Sequence, residues 1–81
     1  MKSWMKEIEC EMERARSIFP DSEFRLTAFS EEYGEVVKAV LDHMQGKANL
    51  SEVKTELIQA GAMIGRLLEE GDPTHSLPPL V

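Results

Sequence analysis

Residues 26–44, LTAFSEEYGEVVKAVLDHM, are the stretch around which this chain of 81 residues is organised. Apolar side chains recur along it at the i, i+3, i+4 spacing of one helical face. They are Phe29, Tyr33, Val36, Val37, Val40, Leu41 and Met44. This spacing predicts an α-helix with one buried face.

The same stretch carries three carboxylates, Glu31, Glu32 and Glu35, in the pattern EExxE. At 100° per residue, they fall within a sector of about 100° of the helix surface. Like charges this close destabilise an isolated helix, whereas a hard divalent cation such as Mg²⁺ takes oxygen ligands. The pattern therefore indicates a metal site or, in the simpler interpretation, a solvated face opposite the apolar stripe.

The residues on the N-terminal side predict a first helix, 3–19, which Pro20 ends. Its apolar side chains also recur at helical spacing, as Trp4, Ile8, Met12, Ala15 and Phe19. Asp21 and Ser22 are residue types that cap helix N-termini, so we expect the second helix over about residues 23–45.

A third helix is predicted after a turn at residues 46–50, with Asn49 or Ser51 as its cap and Gly71 at its end. Its apolar stripe is Val53, Leu57, Ala60, Ile64, Leu67 and Leu68. The sequence thus predicts a single all-α domain over residues 1–72, an antiparallel helix hairpin preceded by an N-terminal helix. A flexible proline-containing tail is expected over residues 73–81, with an arm that packs on a neighbouring subunit as the alternative.

Chain length and two glycines predict an oligomeric helical bundle. Below roughly 70–80 residues a single core supplies only about 3–5 kcal/mol, so the core of this chain is marginal and oligomerisation is a common remedy. Gly61 and Gly65 lie one turn apart in the third helix, where each costs about 1 kcal/mol relative to Ala. Close approach of another helix would offset that cost, although tolerated glycines on a solvated side are the alternative.

The third helix carries counterparts to the acidic pattern, Glu56 and Gln59. If the two apolar stripes face each other, antiparallel helices bring Glu35 level with Glu56, and Glu32 level with Gln59, on one side of the pair. Four oxygen-bearing side chains would then line one groove, with Glu31 pointing furthest outward.

Composition excludes several classes of protein. The formal net charge of −6 argues against a surface for a nucleic-acid polymer. The single cysteine, Cys10, excludes an intramolecular disulfide and fits a reducing, cytoplasmic location. No apolar run approaches the ~18 residues of a membrane span, and the acidic N-terminus is not a signal peptide.

Residues 31–39, EEYGEVVKA, resemble the EExxE helix of the MazG-like, all-α nucleoside triphosphate pyrophosphohydrolases. The family's second motif, ExxD, would fall on residues 56–59, ELIQ, after a spacer length that the family uses. The resemblance covers roughly residues 26–70. It implies Mg²⁺-dependent, or Mn²⁺-dependent, cleavage of a nucleoside triphosphate to the monophosphate and pyrophosphate, by a homo-oligomer.

The resemblance also implies roles for individual residues. The implied metal ligands are Glu31, Glu32, Glu35, Glu56 and, in place of the family's Asp, Gln59 with its neutral carbonyl oxygen. Glu32 or Glu35 would orient or deprotonate the attacking water.

Two side chains are candidates for substrate binding. Lys38 would meet a phosphate, unless it is simply solvated, and Trp4 would stack on a base, unless it packs in the core. The alternative function is a non-catalytic helical oligomerisation or interaction module with a degenerate MazG-like site, which Gln59 favours.

Overall fold

The computed structural model of this chain describes residues 1–20 and 24–81. Within these residues the chain forms three α-helices and a single 3₁₀ turn: α1, Ser3–Ile18; α2, Arg25–Met44; α3, Leu50–Glu70; and the turn Pro73–His75. Within the described residues there is no β-strand, and only one isolated bridge joins Asp72 and Leu77. The predicted all-α fold of three helices is confirmed. The predicted caps Asp21 and Ser22, and the start of the second helix at residue 23, lie outside the described residues.

Helix α3 is the central element because both other helices pack against it, whereas α1 and α2 share few contacts within the described ranges. Helix α2 is antiparallel to α3. The Leu26 backbone N–H bonds to Asp72 at one end of the pair, and the His43 ring lies 3.0 Å from the Ala48 carbonyl oxygen at the other. The Asn49 side chain caps α3 by accepting from the Glu52 N–H, as predicted.

Helix α1 runs parallel to α3 and fits over its two glycines. A Cβ atom at Gly61 would lie 2.8 Å from Cδ1 of Ile8, and a Cβ atom at Gly65 would collide with the Met12 side chain. The predicted close approach of another helix is therefore confirmed, but that helix belongs to the same chain. These glycines no longer argue for contact between subunits.

The apolar stripes of α2 and α3 do not face each other, so the assumption made from the sequence is wrong. The buried residues are Arg25 and Ala39 of α2, and Ala60, Ala62, Met63 and Arg66 of α3. On a helical wheel the buried side of each helix is turned from its apolar stripe, by about 100° in α2 and about 120° in α3. The physical reason is that α3 packs between two helices and turns its small residues toward both.

Because the two helices are antiparallel and both offsets have the same sense, the two stripes project to the same side of the α2–α3 pair. We call this surface the apolar face. It consists of Tyr33, Val37, Val40, Leu41 and Met44 of α2 with Leu57, Ile64 and Leu68 of α3, which are between 39% and 75% exposed. Despite this face, no helix in the described part of the chain combines the length and apolarity needed to cross a membrane.

The three helices form an open layer. The accessible surface is 5621 Å², against about 4,900 Å² for a typical folded monomer of this mass. The radius of gyration is 13.5 Å, against about 11.7 Å for a compact domain of this length. The buried apolar residues are small or flexible: Met12, Ala39, Ala60, Ala62 and Met63.

The residues after α3 fold back onto their own chain, while the flexibility expected of residues 73–81 stays a prediction. Gly71 ends α3 with φ of 69°, and Asp72 and Leu77 exchange two backbone hydrogen bonds of 2.8 and 3.0 Å. The Leu80 N–H then donates to the Leu68 carbonyl oxygen. Asp72 is fully buried, and its carboxylate accepts the Leu26 N–H at 2.8 Å, so it caps α2 from a distant part of the chain.

Three arginines gather around one carboxylate at this end of the layer. Glu70 accepts hydrogen bonds from Arg66 of α3, from Arg16 of α1 and from Arg25 of α2. The hydrogen bond from Arg66 is the main reason why the pKa of Glu70 falls to about 2, with Arg16 and Arg25 adding to it against the opposing effect of burial. Glu70 therefore forms hydrogen bonds with residues of all three helices.

Candidate metal centre

Three carboxylates converge between α2 and α3. Glu32 and Glu35 lie one turn apart on α2, and Glu56 reaches them from α3. One oxygen atom from each lies within 4.8 Å of the other two. The antiparallel arrangement places Glu35 level with Glu56, as the counting of residues from the turn predicts.

Two of these carboxylates have an oxygen atom that is buried without a partner. Among the described residues, Oε2 of Glu32 and Oε2 of Glu56 have no hydrogen-bond donor and almost no solvent contact. Burial raises the pKa of Glu32 to about 7, and the neighbouring charges of Glu35 and Glu56 add to this effect. Burial and the Glu35 carboxylate likewise raise the pKa of Glu56. A buried, unpartnered anion is costly, and three hard oxygen donors suit Mg²⁺ or Mn²⁺.

The two other residues that the resemblance implies as ligands, Glu31 and Gln59, line an adjoining cleft. This cleft, of about 360 Å³, lies between α1 and α2 over α3, and we call it the α1–α2 cleft. Glu31 is exposed and outside the group of three carboxylates, while Gln59 is half-buried. Glu32 belongs both to the group of carboxylates and to the cleft wall, so the two are continuous.

A second cleft, of about 550 Å³, opens on the other side of the carboxylates. Glu35 and Glu56 line it together with Lys38, Asp42 and Glu52. The Lys38 side chain is 78% exposed, and its Nζ atom lies 2.9 Å from the Asp42 carboxylate. The exposed side chain of Lys38 therefore lies in the same cleft as two of the carboxylates. Trp4, which is half exposed in the first turn of α1, lines neither cleft.

Sequence reasoning missed three polar residues of the α1–α2 cleft: Glu11, Arg14 and Arg66. Arg14 donates to Glu11 from Nε at 2.9 Å, and this hydrogen bond lowers the pKa of Glu11. Glu11 and Arg14 are three residues apart on α1, a spacing from which their ion pair could have been predicted. Arg66 is 1% exposed and bonds to Glu70 and to the Phe19 carbonyl oxygen. No pattern in the sequence marks that burial.

Comparisons with models of protein families, with curated proteins and with solved structures found no match for this chain.

Proposed function

We propose that this protein is a divalent-metal-dependent nucleotide pyrophosphohydrolase that cleaves nucleoside triphosphates to the monophosphate and pyrophosphate. The reaction is the one that the resemblance to the MazG-like enzymes implies. The observation that carries the proposal is the meeting of Glu32, Glu35 and Glu56, two of which have buried oxygens without a donor. A cation would supply the missing partner to both oxygens.

In this proposal Glu32, Glu35 and Glu56 hold Mg²⁺ or Mn²⁺. The bound ion would neutralise charge that develops on the phosphate oxygens. Glu32 or Glu35 positions the attacking water or takes its proton, since both lie at the site and one turn apart. Lys38 exchanges Asp42 for a phosphate oxygen, because an exposed surface ion pair costs little to break.

A second candidate function is a non-catalytic helical oligomerisation or interaction module, and the apolar face favours it. The eight large side chains of that face are exposed in the single chain. Exposed apolar surface on this scale marks a site of association. A second copy of the chain is the occupant that we propose, in the enzyme as well as in the module.

The exposed, unpaired Cys10 suits the cytoplasmic location that belongs to this proposal.

Pyrophosphate release from a panel of nucleoside triphosphates, with Mg²⁺ or Mn²⁺, tests the enzyme against the module. We expect turnover by the wild-type protein and its loss in Glu35→Gln. Glu13→Gln, an exposed change on α1 away from both clefts, is the matched control and should retain full activity. An oligomer that releases no pyrophosphate from any triphosphate would favour the module.

A further inference from the structure

The α1–α2 cleft has the size and walls of a site for a flat organic group. Its volume of about 360 Å³ lies within the range of roughly 300–1,000 Å³ that small-molecule sites occupy. Phe19 and Met63 are among the residues that line it, and aromatic and thioether side chains both pack well against a ring. Through Glu32 the cleft is continuous with the candidate metal centre.

The Gln59 amide has unused hydrogen-bonding capacity in this cleft, as does the Glu32 carboxylate. Among residues 1–20 and 24–81, the structure contains no hydrogen bond to it. By contrast, Arg14 is bonded to Glu11, and Arg66 is bonded to Glu70. A primary amide offers two donors and one acceptor, so a ligand in the cleft would find Gln59 unengaged.

The remaining polar groups of the cleft are mostly acceptors. Glu31 and Glu32 contribute carboxylates, and each of the two arginines already donates from Nε and Nη2 to a carboxylate. A base that carries an exocyclic amino group supplies the donors that these acceptors lack. Gln pairs with the amino edge of adenine, and a carboxylate accepts from the amino group of cytosine. Uracil and thymine present a carbonyl oxygen at the corresponding position instead.

We propose that Gln59 is a specificity-determining residue, which hydrogen-bonds the amino-bearing edge of a cytosine or adenine base in the α1–α2 cleft and does not ligate the metal. The inference rests on the proposed function for the identity of the ligand as a nucleotide.

Calorimetric titration with CMP, AMP and UMP, together with a separate titration with Mn²⁺, tests this assignment without any need for turnover. In the wild-type protein, CMP or AMP should bind more tightly than UMP. Gln59→Met keeps the length of the side chain and removes its hydrogen bonds. It should therefore weaken binding of the preferred nucleotide roughly tenfold and change the binding of UMP very little. Its Mn²⁺ affinity should match that of the wild-type protein. Gln45→Met, at the exposed end of α2, is the matched control and should change neither titration.

A second variant, Gln59→Asp, separates the base site from the metal site. If Gln59 is a metal ligand, the new carboxylate should tighten Mn²⁺ binding. Our assignment predicts unchanged Mn²⁺ binding and weaker AMP binding, because a carboxylate lacks the donor that Gln gives to adenine N7. Tighter Mn²⁺ binding, or equal losses for UMP and CMP in Gln59→Met, would overturn the inference. The enzyme proposal fails on a different result, the absence of pyrophosphate release by the wild-type protein from every triphosphate.

Discussion

Glu32 and Glu56 each bury a carboxylate oxygen that no donor in the described structure reaches, although they lie on different helices. Their side chains also share a neighbour in Glu35, so three acidic groups meet where α2 and α3 pack together. Burial without a partner disfavours the charged form of such groups. The hairpin is therefore held in a state that protons or a cation would stabilise.

The first prediction concerns the pH dependence of folding in the absence of metal. The pKa of Glu32 is about 7 in the folded protein and near the ordinary glutamate value of 4.5 when unfolded. The folded state binds the proton more tightly, so the free energy of unfolding should fall as pH rises from about 4.5 to 7 and stay low above that. Glu32→Gln should remove this loss and raise the melting temperature at pH 8. A gain on the order of 1 kcal/mol, discounted for solvent screening, corresponds to roughly 4–8 °C.

Thermal melts with chelator at pH 5 and pH 8 provide the measurement. Glu31→Gln is the matched control, because Glu31 precedes Glu32 on α2 but lies outside the group of three carboxylates. A control variant as stabilised as Glu32→Gln would mean that general charge reduction, and not this site, sets the effect.

The second prediction is that Mg²⁺ or Mn²⁺ stabilises the folded protein through the same carboxylates. At a metal concentration 100-fold above the dissociation constant, the gain should be about 2.7 kcal/mol. Glu56→Gln should abolish most of it, whereas Glu52→Gln, one turn earlier on α3, should retain it. Melts at fixed protein concentration measure both variants. An unmoved transition in millimolar metal would argue against the metal centre.

Much of this architecture is predictable from the sequence because the signals are local. Pro20, Asn49 and Gly71 mark helix ends within a few residues of their own positions, and the structure places the ends of α1 and α3 there. The meeting of Glu35 with Glu56 follows from their similar distances from the turn in an antiparallel pair, which agree to within about one helical turn.

The features that the sequence does not predict depend on contacts between distant residues. The rotation of α2 and α3 away from their apolar stripes depends on where α1 packs, and nothing in either stripe encodes that position. Asp72 caps α2 at Leu26, which lies 46 residues earlier in the chain. From the sequence alone, Asp72 is therefore interpreted only as a residue that helps to end α3. Arg66 takes a buried place because Glu70 and the Phe19 carbonyl oxygen receive its donors.

The third prediction is that the apolar face joins two copies of the chain. Sedimentation at micromolar concentration should show a dimer or larger species. Leu41→Glu, at a position 50% exposed in the single chain, should shift the population to monomer because it places a charge in the interface. Thr27→Glu lies on α2 outside the face and should leave the assembly intact. A wild-type protein that sediments as a stable, folded monomer would contradict the prediction.

The fourth prediction concerns Glu70 and resistance to acid. Its pKa of about 2 lies below the ordinary glutamate value of 4.5, so its stabilisation is complete above pH 4.5 and lost as pH falls through about 2. Glu70→Gln should therefore lower the free energy of unfolding at pH 7 by about 1–2 kcal/mol, after a discount for partial exposure. The difference should vanish near pH 2. Glu69→Gln is the adjacent control, since Glu69 is half exposed and, among the described residues, pairs only with Arg16.

The last prediction concerns the role of Lys38 in the proposed enzyme. Lys38 shares the second cleft with Glu35 and Glu56, and its only ion pair is the exposed one with Asp42 within the described structure. Lys38→Ala should therefore raise KM for the triphosphate, by roughly five- to twentyfold if one charge-assisted hydrogen bond to phosphate is lost. Its kcat should change less, and its Mn²⁺ affinity should not change, because the three carboxylates remain.

Lys54 offers the control for Lys38, since it is another exposed lysine in an ion pair, with Glu7 across the α1–α3 interface. Lys54→Ala should leave KM unchanged. The salt dependence of KM adds a test that a purely structural role would not satisfy, because screening weakens an exposed charge–phosphate contact. KM should rise with salt in the wild-type protein and in Lys54→Ala, and rise less in Lys38→Ala. An identical salt dependence in all three proteins would place the phosphates away from Lys38 and the second cleft.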